Sequence, residues 1–296
     1  MRNKNEKVFI YSCLTPALVL FAVFMIYPTL SVFRMALYKW GGLSAAKTFI
    51  GLENFRTLLG DGNFLKALQN TILVLVFVTI MTLAIAISFA YILVREKIKG
   101  HNFYRFIFYI PNVLSVVVIS AIFSAIYAPS EGLINGMFRL FKPETWQNIQ
   151  FLGNQRIVIY SIIAAMVWQA IGYYLVIYMA GMSSIPVHLF ETAEIEGANK
   201  IRQFLDITVP LVWDTVRTTL VFCIISSINV SFLLIKVMTE GGPDGASEVF
   251  LSYLYKQAYN NASYGYGMAI GVVVFLFSFA LAGIVNRITK RDIIQY

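Results

Sequence analysis

A chain of 296 residues that is 58% apolar and only 13% charged, with a mean hydropathy of +0.72, lies far from the composition of a water-soluble domain. The net charge of +8 does not point to nucleic acid, because the basic residues gather beside apolar stretches and form no single stripe. Both cysteines, Cys13 and Cys223, fall inside apolar stretches, which excludes a disulfide framework or paired-cysteine metal site and leaves them as small apolar fillers.

Crossing the roughly 30 Å hydrocarbon layer takes about 20 apolar residues in a helix. Six stretches qualify, at about 9–32, 70–94, 104–127, 157–180, 213–238 and 266–286. They are rich in Leu, Ile, Val and Phe, lack an alternation of period two and mostly exceed a membrane strand in length. The expected fold class is therefore all-α, a polytopic membrane protein with six transmembrane helices in one domain over residues 1–296. The first stretch is too long for a cleaved leader and has no small-residue cleavage site before Tyr27-Pro28, so it reads as a retained helix.

Orientation follows from the basic residues. Arg2, Lys4 and Lys7, then Arg95, Lys97, Lys99 and Arg105, then Arg287, Lys290 and Arg291 crowd three short segments, which the positive-inside rule assigns to the cytoplasm. Lys47, Arg56, Lys142 and Lys256 are spread thinly over the opposite loops. Both termini are expected inside.

Along the chain, Ile50–Phe64 reads as one short surface helix with turns at Gly51 and Gly60. Gly41–Thr48 comes close to a phosphate-binding loop, but Ala46 stands where the second glycine belongs and no strand precedes it, so nucleotide binding is not expected there. Pro111-Asn112 predicts a kink in the third span, with freed carbonyls for Asn112 or Ser115 to satisfy. His101 and His188 have no partners at metal-ligand spacing, and no GxSxG, HExxH or intramembrane carboxylate pair occurs. None of the six helical cores carries Asp or Glu, which speaks against a proton-coupled carrier. In the last span, Gly267 and Gly271 form a GxxxG step suited to helix packing. Arg217 and Lys236 sit near opposite ends of the fifth span and are expected to snorkel.

The 181–212 segment, inside by helix counting, is acidic instead of basic. Ser183-Ser184-Ile185-Pro186 offers an N-cap and a first-turn proline for a short helix carrying Glu191, Glu194 and Glu196. Phe190, Ala193 and Gly197 share one face, and the small residues Ala193, Gly197 and Ala198 permit close backbone approach and a sharp bend. Ile201, Phe204 and Leu205 then give a second short helix an apolar face, and Pro210 starts the next span. A surface helix lying on the anionic inner leaflet would be basic, so a protein partner fits this loop better.

Several motifs occur in order: IGLENF (Ile50–Phe55), Ala-Leu-x-Asn-Thr (Ala67–Thr71), YRFIFYIP (Tyr104–Pro111), YAPSEGLIN (Tyr127–Asn135), IPVHLFETAEIEGA (Ile185–Ala198), TEGGP (Thr239–Pro243) and GYGMA (Gly265–Ala269). Together they make the whole chain resemble the permease subunits of carbohydrate-uptake ABC importers of the maltose and glycerol-phosphate type. Thr192, Val209 and Lys236 depart from the usual Ala, Leu and aromatic residue.

The resemblance implies a type I importer fold and an EAA coupling loop whose fixed points here are Glu191, Ala193, Gly197, Ile207 and Pro210. It implies a non-catalytic chain that binds no cofactor, with ATP and Mg held by two partner ATPase subunits. The further partners implied are a second permease subunit, an extracytoplasmic solute-binding protein and the bacterial cytoplasmic membrane. It also implies sugar contacts on the fourth and fifth spans. There Trp168, Gln169 and Tyr173 lie at the depth of Thr219, Cys223, Ser226, Ser227 and Val230, with Asn229 at the edge of that face. The serines and threonines equally suit bonds to a carbonyl one turn back. Alternatives are the same machine for an amino acid or peptide, and an autonomous secondary carrier, for which inverted repeats would be expected.

Overall fold

The computed structural model describes residues 4–42, 46–96, 98–141 and 147–290. Arg2, Lys97, Lys142, Arg291 and residues 43–45 of the glycine-containing loop lie outside the described residues. Helices dominate, and their contacts divide the chain into two units: one ends at Gly62 and adds Tyr253–Phe277, and the other holds Asn63–Ser252 and the segment from Ser278 onward.

In the first unit, α1 (Lys4–Phe21), a π-helical turn (Ala22–Ile26) and α2 (Tyr27–Met35) run together as one apolar span over Phe9–Met35. Phe9 and Phe24 expose 71% and 74% of their surface, so this span contributes little to the core of its unit. Two short antiparallel strands, β1 (Tyr38–Lys39) and β2 (Thr48–Phe49), pair Tyr38 with Phe49, a small hairpin absent from the all-helical expectation. The surface helix α3 (Glu53–Leu59) follows as expected, and its buried Asn54 donates to the carbonyls of Ala36 and Tyr38.

α4 (Gly62–Arg95) has 34 residues and starts earlier than the apolar stretch implied. The third span departs from a single kinked helix: α5 (His101–Val113) and α6 (Val116–Ile126) meet at about a right angle, bent by 100°. Pro111 sits inside α5 and the break comes at Leu114-Ser115, where Ser115 adopts extended backbone and accepts from the Val118 amide. Its oxygen thus caps donors at the start of α6; the expected service to freed carbonyls is not what it does.

Beyond α7 (Leu133–Phe141), α8 (Val158–Ser183) forms the centre of the second unit. A Cβ at Gly172 would lie 1.9 Å from the Phe108 carbonyl oxygen, so α5 crosses α8 backbone to backbone and only glycine fits. The connecting segment carries α9 (His188–Ile195), α10 (Lys200–Gln203), a π-helical turn (Phe204–Thr208) and α11 (Val209–Leu211), and leads into α12 (Trp213–Met238). α13 (Phe250–Tyr255), another π-helical turn (Lys256–Asn260) and α14 (Tyr264–Ile288) complete the chain. Among the described residues five helices are long and apolar enough to cross a membrane, and the bent pair taken as one span makes six.

Two apolar clusters fill the second unit. Val74, Val78, Ile162, Met166, Leu234 and Ile235 form one. Leu83, Ala86, Leu175, Tyr178, Met182 and Phe190 form the other, which reaches the connecting segment. Several sequence motifs turn out to be joints. Asn70 donates to the carbonyls of Gly245, Ala246 and Glu248, and the Thr71 hydroxyl accepts from the Phe250 amide, so α4 holds the loop after Thr239. Asn135 is fully buried and donates to the Ala128 and Ile149 carbonyls while accepting from the Ile149 amide. In the first unit, the GxxxG step packs within the chain: a Cβ at Gly267 would come 2.8 Å from the Ala258 Cβ.

Candidate functional site

The acidic connecting segment is an elbow of two short helices. Its hinge is Gly197 at φ +80°, with open space where a Cβ would stand, so the glycine is required by left-handed backbone and not by close approach as the sequence implied. Ser183 and Ser184 do not cap the first helix: their hydroxyls donate back to the carbonyls of Met179 and Gly181, and α9 starts at His188 behind Val187. Asn199 caps α10 by accepting from the Arg202 amide, and buried Gln203 donates to the Ala198 carbonyl, which closes the bend. Sequence reasoning passed over both, although an Asn directly after the bend is a legible cap signal.

The elbow is moored on the end of α4. The Arg95 guanidinium lies 3.5 Å from the ring centroid of Phe190, which is 1% exposed. The Tyr91 ring packs on Phe204 at 5.0 Å and its hydroxyl donates to the Lys200 carbonyl at 3.1 Å. Lys200 also pairs with Glu96 at 3.2 Å, an exposed contact that contributes little by itself. Ile207 packs, partly buried, on the same cluster, and Pro210 lies in α11, the last turn before α12. Glu191 and Gly197 stay exposed, and Ala193 is half-buried. Ile195, Ile201 and Leu205 expose 87%, 70% and 55% of their surface beside Glu191, Glu194 and Glu196, leaving an outward apolar and acidic patch.

The second site is a cavity of about 240 Å³ lined by Asn112, Gln169, Ala170, Tyr173, Tyr174, Phe222 and Ser226. It brings Gln169 and Tyr173 of α8 together with Ser226 of α12, and adds Asn112 of α5 and Phe222 of α12. Phe222 lies one turn before Ser226, a signal the spacing contained. The remaining path residues go elsewhere. Trp168 packs edge-on to Phe123 at 5.4 Å, and Asn229 is exposed outside the cavity lining. Cys223 and Ser227 are 1% and 4% exposed and turn into the packing beneath Tyr174. The Thr219 hydroxyl shares a buried 2.7 Å hydrogen bond with Tyr178 and joins α12 to α8. The polar face read as one stripe is thus split in two by how α12 rolls against α8. Arg217 does not snorkel freely: it donates to Asn286 at 2.7 Å and pairs with Asp214 at 3.5 Å.

No group of three or more His, Cys, Asp or Glu able to hold a metal occurs among the described residues.

Comparison with known proteins gives this architecture a family. Residues 84–294 match the model for the binding-protein-dependent transport system inner membrane component. A probable ABC transporter permease protein of Bacillus subtilis is 34% identical, covering 95% of this chain and 96% of that protein. The diacetylchitobiose uptake system permease protein of Streptomyces coelicolor is 29% identical over 96% of this chain and 84% of that one. A crystallised bacterial ABC transporter involved in the import of the acidic polysaccharide alginate shares the fold, with a TM-score of 0.83 at 21% identity and 96% of each chain covered. A bundle of apolar spans with an exposed elbow, and a match running through both, leave one reading: the chain belongs to the binding-protein-dependent transport system inner membrane components, as a non-catalytic, multi-pass permease subunit of an ABC importer in the inner membrane.

Proposed function

We propose that this permease carries a neutral sugar, an oligosaccharide or a related polyol. The observation that supports this most directly is the cavity between α5, α8 and α12. Two side-chain amides, two tyrosines and a serine supply donors and acceptors for hydroxyl groups, and Tyr173 and Phe222 supply flat faces for a sugar's C–H surface. None of the lining residues is charged, which suits an uncharged solute better than an amino acid or peptide with its ammonium and carboxylate. Relatives include permeases of arabinooligosaccharide and multiple-sugar uptake systems, which agrees with this substrate class.

The exposed patch around Glu191 and Gly197 is the seat for an ATPase subunit on the cytoplasmic side, with Ala193, Ile207 and Pro210 shaping the elbow behind it. Closure of the ATPase pair moves the elbow. Through Phe190 and Arg95 the elbow is tied to α4, so the helices follow it between an inward-open and an outward-open state. The energy enters as a difference in ATPase affinity for those two states, far from the solute. This reading entails a second permease subunit, two ATPase subunits, an extracytoplasmic solute-binding protein and cytoplasmic termini.

The test is uptake of labelled oligosaccharides by vesicles holding the assembled complex. Glu191→Lys is expected to leave the chain inserted and abolish uptake, and Gln169→Leu to raise KM for the sugar with coupling intact. Normal uptake by the Glu191 variant would refute the coupling role, and an unchanged KM for every sugar tried would refute the assignment of the cavity.

A further inference from the structure

One cleft in the second unit belongs to neither site. A cavity of about 580 Å³ opens where α4 and α8 end and α5 begins, and an adjoining one of about 420 Å³ shares Asn102, Arg105 and Val176 with it. The first cavity joins Lys99, His101, Asn102 and Arg105 to apolar Leu93 and Met179, and the second adds Phe106 and Tyr109 beside the shared Asn102, Arg105 and Val176. No lining residue is acidic, and among the described residues neither Lys99 nor Arg105 is in an ion pair. α5 begins here, behind Gly100 at φ +84° and without a side-chain cap, so the positive end of its dipole faces the same polar mouth.

We propose that this cleft is a binding site for an anionic phospholipid, its phosphate held by Lys99, Arg105 and the start of α5 and an acyl chain lying along Phe106, Tyr109 and Val176. Charge complementarity carries the choice of occupant. Two uncompensated cations at the edge of a membrane helix bundle attract an anionic headgroup, and a greasy groove leading away from them accepts its tail. A soluble phosphate would use only the polar mouth. The inference is independent of the transported solute and of the coupling elbow.

Native mass spectrometry of the full-length chain in detergent, titrated separately with phosphatidylglycerol, phosphatidylcholine and inorganic phosphate, tests it. Phosphatidylglycerol should bind at least about tenfold more tightly than phosphatidylcholine, and Lys99→Ala with Arg105→Ala should weaken it by roughly 30-fold, at about 1 kcal/mol per basic residue. Lys99→Arg with Arg105→Lys should retain the preference. Val176→Trp, which fills the groove and leaves both charges, should weaken both lipids. Equal affinity for the two lipids, a preference that survives the double alanine variant, or a Val176→Trp variant that binds as before would each overturn the proposal. Inorganic phosphate binding as tightly as phosphatidylglycerol would make the site one for a soluble anion. Loss of the preference in the assembled importer would make the cleft a subunit interface.

Discussion

The Arg95 guanidinium stacks on the face of Phe190 at 3.5 Å, joining the end of α4 to the first helix of the elbow. Phe190 is 1% exposed, and Arg95 is half-buried with its Nε out of reach of water. A partly desolvated cation–π contact of this kind contributes about 1–2 kcal/mol. It joins a membrane helix to the segment that meets the partner, so its loss should show in coupling before it shows in folding.

Arg95→Ala and Phe190→Ala are therefore expected to reduce the solute transported per ATP hydrolysed several-fold while the chain still inserts. A double-mutant cycle should return a coupling energy of about 1–2 kcal/mol between them. Transport and ATP turnover measured on the same proteoliposomes check this, and additive effects would mean that the stacking transmits nothing.

Gly197 should tolerate substitution according to backbone and not volume. Its φ of +80° disfavours any side chain by about 1 kcal/mol, more for a β-branched one, while nothing obstructs the Cβ. Uptake should fall in the order Asn, Ala, Val, with Asn nearest the parent. A steric requirement would instead rank Ala above Asn.

Thr219 and Ser226 share a face by helical spacing but have different surroundings, so their substitutions should separate. Thr219→Val removes the buried bond to Tyr178 and should lower stability by about 1–2 kcal/mol with little change in KM. Ser226→Ala opens only a cavity wall and should raise KM several-fold at unchanged melting temperature. Thermal unfolding in detergent alongside uptake kinetics distinguishes the two.

Asn70 serves three carbonyls of the loop after Thr239 with one side-chain amide. Asn70→Ala leaves buried acceptors without that donor and should cost about 1–3 kcal/mol of stability. Limited proteolysis should then cut first between Thr239 and Phe250.

What could be read from the sequence was whatever a local pattern dictates. Apolar stretches of helix-spanning length exist because a bilayer demands that every backbone group be paired within its own segment. The bend at 197 is legible for the same reason, since a glycine between two short helical segments is a local signal, while its left-handed backbone with open space at the Cβ is visible only in the structure. The 100° break after Val113 is not, because Pro111 marks a weak point without setting an angle; α5 packs on α8 at Gly172 while α6 packs on α12, and those separate contacts hold the bend. The division of α12 into a packing face with Thr219, Cys223 and Ser227 and a cavity face with Phe222 and Ser226 was equally hidden. Helical spacing determines which residues are neighbours on a helix. Only the tertiary fold determines how that helix is rolled against α8, and a rotation of a fraction of a turn decides whether a hydroxyl meets a neighbouring helix or an open cavity.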